Sequence, residues 1–208
     1  MTSSSNRKDP ARWENRYAAG DTPWNRDEHD PYLAHVLERY TIVPQAMLEI
    51  GCGTGTNAIW LGQKGFTVRA TDVSATAIGE AQRKARASQV DCTFLVEDIL
   101  EAPPTKETYG FIYDRAVFHI FDEEEDRKVF VKRVYDHLQP GGLWHCLIGS
   151  TDGPPRDSGP PRRSATEIVR VVEPHFEILE LTSTTFDGDL HEHARAFIMV
   201  ARRRGPSA

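Results

Sequence analysis

Three glycines at alternate positions, Gly51, Gly53 and Gly55, follow the apolar run Met47, Leu48 and Ile50 and precede Ala58-Ile59-Trp60-Leu61. Chemically, this spacing makes a ligand cradle. The apolar run reads as a buried strand that stops at Gly51. Glycine permits a turn with φ > 0 and leaves no Cβ between main chain and ligand. The free N–H groups at the head of the next helix favour a carboxylate or phosphate. Asp72 closes a second strand, Phe66–Thr71, where an acidic side chain can accept both hydroxyls of a ribose. Together these residues imply an adenosine-type ligand at the carboxyl ends of parallel strands. A tight structural turn that binds nothing is the alternative, and the order strand, turn, helix, acidic strand end argues against it.

The elements that must hold these residues can be followed along the chain. Asp9-Pro10 and Asp30-Pro31 each pair an N-cap with proline at the first helical position. The first helix carries Trp13 and Tyr17 on one face, and the second carries Tyr32, Leu33, Val36 and Leu37. After the glycine turn, strands and helices alternate. Ser74 caps a helix through Ala87, and Cys92–Val96 and Phe111–Tyr113 are strands. Asp122 and Glu125 have capping-box spacing for a helix that Pro140-Gly141-Gly142 should stop. Leu143–Ile148 is a fifth strand, and Ser164 with Glu167 caps one more helix. Phe176–Thr185 and Ala194–Ala201 are two closing β runs. Alternation of this kind predicts an α/β fold with a mostly parallel seven-stranded sheet, helices on both faces and a C-terminal antiparallel β-hairpin.

At 208 residues the chain is expected to form one domain over residues 9–204, with residues 1–8 a tail. No apolar run approaches the ~18–20 residues that span a bilayer. Three cysteines without a C-x-x-C pair, and an N-terminus lacking an apolar core, point to a cytoplasmic protein with free thiols. A net charge of −6 argues against a phosphate-backbone partner, and Arg202-Arg203-Arg204 reads as a solvated tail. Small-molecule substrates are therefore favoured over DNA or RNA, and a monomer is expected.

A dinucleotide fingerprint would read G-x-G-x-x-G, which this turn does not. Leu48-Glu49-Ile50 with Gly51, Gly53 and Gly55 resembles motif I of class I S-adenosylmethionine-dependent methyltransferases, whose Rossmann-like sheet ends in the same hairpin. Trp13-Glu-Asn-Arg-Tyr17, Gly20-Asp-Thr-Pro-Trp24 and Pro31-Tyr-Leu33 resemble the thiopurine, thiol, halide and tellurite methyltransferase group within that class. The resemblance covers residues 9–204. It implies that S-adenosylmethionine is the cofactor and S-adenosylhomocysteine the product. Motif I, through Asn57, would face the methionine part, with Asp72 on the ribose and Asp98 on the adenine amino group. Val73 and Ile99, each just after its acid, would sandwich the purine. Residues 9–40 would fold over the cofactor, with Trp13 and Trp24 lining its methionine end, where a π face attracts a sulfonium.

The resemblance also places contacts at the fourth strand end. Asp114 would orient the cofactor's amino or carboxylate group at the catalytic centre, and Arg115 would contact the substrate. His119 is the titratable group expected near the transferred methyl, where it would deprotonate a thiol or hydroxyl; a histidine bonded to a backbone carbonyl is the other reading. Tyr17 either faces the acceptor or packs its helix. Arg162 either binds an anionic acceptor or sits on a solvated loop. His191 and His193 lack a third ligand at fixed spacing and read as solvent-facing, so no metal is expected. The activity implied is methyl transfer to a small acceptor, most readily a thiol. The other readings are O- or N-methyl transfer, a nucleotide-dependent oxidoreductase, and a cofactor-binding module without catalysis.

Overall fold

The computed structural model describes residues 8–101, 107–152, 159–186 and 194–205. Proline after an aspartate opens both N-terminal helices, α1 (Pro10–Ala18) and α2 (Pro31–Arg39), whose caps Asp9 and Asp30 accept from Ala11 N and Tyr32 N. There follow β1 (Ala46–Ile50), α3 (Thr56–Gln63), β2 (Thr67–Asp72), α4 (Ala75–Ala87), β3 (Cys92–Val96) and β4 (Tyr109–Arg115). A 3₁₀ turn over Phe118–Ile120 leads to α5 (Glu124–His137), β5 (Leu138–Gly149), α6 (Ala165–Val172), β6 (Phe176–Thr185) and β7 (Arg195–Arg203).

The seven strands form one sheet in the order β3-β2-β1-β4-β5-β7-β6. Strands β1 to β5 pair in parallel, while β7 is antiparallel to both β5 and β6. The expected fold is thus observed, and the order reverses between β1 and β4. A crevice opens outside the strand ends at such a reversal.

Alternating side chains sort the core onto two faces. Trp144, Cys146 and Ile148 pack with Phe118, Phe130, Val134 and Ile168 beneath α5 and α6. Met47, Phe111 and Tyr113 pack with Leu33, Leu61 and Ala81 beneath α2, α3 and α4. A third cluster joins Val36 of α2 to Leu147, Ile198 and Val200 on β5 and β7. Each fully buried large apolar side chain contributes ~1.5–3 kcal/mol.

Two local expectations are corrected. No capping box forms at α5: Glu123 is the N-cap residue and makes no side-chain cap bond. Asp122 instead accepts from Arg163 Nη2 at 2.7 Å, because a buried arginine needs a carboxylate more than an exposed helix end does. Nor does Pro140-Gly141-Gly142 stop a helix. The helix ends at His137, and β5 already runs through these residues, with a register irregularity opposite Tyr109 and Phe111. His191 and His193 lie outside the described residues, as do Pro103-Pro104 and most of the tail.

Candidate active site

A cavity of about 360 Å³ opens at the strand-order reversal, beneath α1 and the loop that follows it. At one end the lining is Asp72, Val73, Glu97, Asp98 and Ile99, contributed by the ends of β2 and β3. At the other it is Val117, His119, Ile120 and Phe121 with Pro160, Pro161 and Phe186. Trp13, Tyr17 and Trp24 line it from α1 and its loop, and Gly51 and Arg115 from the strand ends. A side recess of about 60 Å³ lies against Glu49, Gly51, Gly53, Asn57 and Arg115.

The glycine turn explains itself locally. Gly51, Gly53 and Gly55 all have positive φ, at 67°, 54° and 80°. A Cβ on Gly51 would stand 2.2 Å from Val117 Cγ2, so the two cavity walls can approach only without one. Gly53 N donates to Asp72 Oδ2 at 2.9 Å, and Ser74 N donates to Asp72 Oδ1 at 2.9 Å. These amides fix the carboxylate and partly offset the burial that raises its pKa. Asp98 is half-exposed, and its Oδ1 accepts from Leu100 N at 2.9 Å, which closes the turn after β3.

The N-terminal segment is tied to the same turn. Thr54 Oγ1 donates to Asn25 Oδ1, and Thr56 Oγ1 to the Arg26 carbonyl, both at 2.7 Å. Trp24 meets Trp13 edge-on at 5.3 Å between ring centroids and donates through Nε1 to Tyr17 Oη. The Arg16 guanidinium lies 4.1 Å from the Trp24 ring centre. Burial, then the nearby Asp72 carboxylate, pushes the Tyr17 phenol well up, so it stays protonated. α1 itself has no buried residue. It is held by Glu14, which accepts from Ser74 Oγ, Thr76 Oγ1 and Thr76 N at the head of α4.

Three features escaped sequence reasoning. Glu49 is buried in motif I, and its Oε2 has no hydrogen-bond partner among the described residues. Burial above all pushes its carboxyl up to about 8. Its place inside an otherwise apolar strand was the signal for it. Asp30, read only as a helix cap, is also buried. Its Oδ2 accepts from Tyr113 Oη at 2.9 Å and Arg115 Nε at 3.1 Å, and its backbone N donates to Asn57 Oδ1. Nothing in the sequence pairs positions 30 and 115. The third is Arg163, which donates to the Phe121 carbonyl and Asp122 and so pins residues 159–163 to the turn after β4.

The fourth strand end differs from expectation. Asp114 does not line the cavity. Its buried carboxylate accepts from Val117 N, Phe118 N, Cys146 Sγ and Trp144 Nε1, and so builds the turn that carries His119. His119 does line the cavity, and its Nδ1 accepts from Gly149 N at 2.7 Å. Arg162 is not among the lining residues, whereas its neighbours Pro160 and Pro161 are. Among the described residues no group of three His, Cys, Asp or Glu is placed to hold a metal, and no helix is long and apolar enough to cross a membrane.

The site fits an adenosyl amino acid cation. Glycines give it a cradle that a Cβ would fill, and Glu49 offers beside it a buried carboxyl oxygen with no hydrogen-bond partner among the described residues. A family model described as thiopurine S-methyltransferase matches residues 8–202. The "Probable thiol methyltransferase 2" of Arabidopsis thaliana is 30% identical over 173 residues, spanning 81% of this chain and 75% of that protein. A solved structure described as "Conversion of a Disulfide Bond into a Thioacetal Group during Echinomycin Biosynthesis" superposes with a TM-score of 0.77 at 24% identity, covering 89% of this chain and 87% of the other. Magnesium protoporphyrin IX methyltransferase from Synechocystis PCC 6803, solved with bound SAM, gives a TM-score of 0.72 at 16% identity, covering 93% and 96%. The family match over nearly the whole chain and the cradle agree: this chain belongs to the thiopurine S-methyltransferase family of S-adenosylmethionine-dependent methyltransferases.

Proposed function

We propose that the protein methylates a small soft nucleophile, a thiol above all, in the cytoplasm and as a monomer of one catalytic domain. The observation that carries this is the composition of the cavity beyond Gly51. Val117, Ile120, Phe121, Pro160, Pro161 and Phe186 make an apolar chamber, with the Arg115 guanidinium and the His119 imidazole as polar groups. A polarisable, weakly hydrated sulfur suits such a chamber. The relative described as a thiol methyltransferase supports the same reading.

S-adenosylmethionine supplies the methyl on a sulfonium together with its own leaving group. The protein's part is then to bind, align and exclude water. In this reading Asp72 holds the ribose, Asp98 the adenine amino group, and Val73 and Ile99 clasp the purine. Glu49 and Asn57 face the ammonium, and Arg115, steadied by Asp30, faces the carboxylate end. Trp13 and Trp24 wall the sulfonium, with residues 9–40 as the lid. Asp114 and Arg163 act by holding the His119 turn in place.

The test is an acceptor panel with methyl-labelled S-adenosylmethionine, covering small thiols, thiophenols, thiopurines, halides, tellurite, phenols and amines. Turnover on thiols that disappears when the sulfur is blocked is the expected outcome. Activity confined to phenols or amines would replace sulfur by oxygen or nitrogen as the acceptor atom.

A further inference from the structure

We infer that the acceptor enters this site already ionised, because among the described residues the acceptor chamber holds no group able to take its proton. The inference rests on the cofactor assignment above and deepens it by naming the reactive form of the acceptor.

One hydrogen bond fixes the tautomer of His119. Gly149 N is a backbone amide and can only donate, so His119 Nδ1, 2.7 Å away, must present its lone pair. In a neutral imidazole the hydrogen then sits on Nε2, which makes that nitrogen a donor. The one basic lone pair of His119 is thus spent on the protein itself. Turning the ring to the other tautomer would set N–H against N–H at this distance. The geometry is enforced from behind: a Cβ on Gly149 would meet Pro161 O at 2.0 Å and His119 Nδ1 at 3.0 Å. Glycine is therefore what lets the amide, the ring and residues 159–161 close together.

The other charged groups among the described residues around the chamber do not replace it. From β4, Asp114 is buried behind the wall with four donors on its carboxylate, and Arg115 is a cation paired to Asp30. Asp122, after the 3₁₀ turn, is engaged by Arg163. The side that faces α1 adds Lys8, Arg12 and Arg16, with Arg26 from the loop, all cationic. The lining acids Asp72, Glu97 and Asp98 end β2 and β3, on the far side of β1 from the β4–β5 end where His119 sits. Glu49 opens into the separate recess beside Asn57. Acids at the cofactor end and cations with a donor histidine at the acceptor end form one consistent polarity.

The electron count agrees. The acceptor's sulfur lone pair forms the new carbon–sulfur bond, and the old one breaks with its pair left on the departing thioether. A thiolate and a sulfonium become two neutral thioethers, and no proton moves within the site. The thiol's proton has already gone to water.

Two measurements on the full-length protein test this. In ¹⁵N-histidine-labelled protein at neutral pH, with His119 assigned by loss of its signals in His119→Asn, Nδ1 should appear as the bare, accepting nitrogen and Nε2 as the protonated one. The opposite tautomer would overturn the inference. Secondly, kcat/KM is followed against pH for two acceptors of the same class with different pKa. It should rise about tenfold per pH unit and level off at each acceptor's own pKa, near ~8.5 for a simple thiol. In His119→Asn, whose amide oxygen can still accept from Gly149, the break should stay in place. The loss should fall below the ~10²–10⁴-fold that removal of a general base costs. A break near ~6.5 shared by both acceptors and abolished in that variant would show that His119 is the base after all. If only phenols turn over, sulfur is the wrong acceptor, yet two phenols of different pKa run the same test. If nothing turns over, the tautomer alone decides.

Discussion

Glu49→Gln isolates the most unusual charge in the site. Burial carries the Glu49 carboxyl from 4.5 to about 8, with the neighbouring Asp72 and Asp30 carboxylates adding to it. Because the folded-state pKa is raised, the folded protein binds this proton more tightly than the unfolded chain between those two values. Stability therefore falls as pH rises through that window. At ~1.4 kcal/mol per pH unit, ionising Glu49 costs the unliganded fold up to roughly 5 kcal/mol above pH 8. Glutamine keeps the shape and an oxygen for the 3.4 Å contact from Asn57 Nδ2, and it never ionises. Urea denaturation of both proteins at pH 5, 6, 7 and 8 should show near-equal stability at the acid end. The variant should then lead by ~2–5 kcal/mol at pH 8. Taking the difference cancels the titrating groups that do not couple to Glu49. Saturating S-adenosylhomocysteine should shrink that lead, since its ammonium would pair with the ionised carboxylate. A difference that stays flat with pH would refute the reasoning, because Glu49 would then titrate alike in both states.

Two further substitutions probe the walls of the site. Asp114→Asn keeps one oxygen for the Val117 and Phe118 amides but turns an NH₂ group, or nothing, towards Trp144 Nε1. Leaving buried donors unpaired costs ~1–3 kcal/mol each. The melting temperature should fall by roughly 3–10 °C in a domain of this size, and an unchanged value would mean the carboxylate is not structural. Gly149→Ala places a methyl against the Pro161 carbonyl, so residues 159–161 must move away from the acceptor chamber. Acceptor KM should rise at least ~10-fold, a loss of ~1.4 kcal/mol. Calorimetric affinity for S-adenosylhomocysteine should meanwhile stay within about threefold, that is ~0.7 kcal/mol. Equal losses in both would show that this glycine serves the whole fold.

Sequence and structure agree wherever local chemistry decides. Asp9, Asp30 and Ser74 cap the helices they were expected to cap, and Ser164 with Glu167 forms a complete capping box. The parallel pairing of β1 to β5 follows from the alternation of strands and helices, since parallel strands demand crossover connections. Disagreement appears where a distant partner outbids a local one. Asp122 leaves its helix for Arg163, forty-one residues later in the chain. Asp114 looked available at a strand end, but a tryptophan and a cysteine on the neighbouring β5 claim it from the side. For His119 the residue type was legible, but its tautomer depends on a backbone amide of another strand. Periodicity carries no information about such pairings.

Asp30 also bears on how the molecule comes into being. This one carboxylate starts α2, holds Arg115 and accepts from Tyr113, while Val36 of the same helix packs on Leu147, Ile198 and Val200. Helix α2 and its cap therefore find their partners on β4, β5 and β7, all much later in the chain. β7 lies between β5 and β6, so the sheet is also incomplete until that final strand inserts. Contacts this far apart in sequence form late, because loop closure must precede any gain from them. The glycine turn and Asp72 lie within residues 46–72, whereas the packing of α2 also needs β5 and β7. A chain in which β7 has not yet inserted would hold the cradle without the full support of α2, so cofactor would stabilise the finished fold rather than guide its first folding steps.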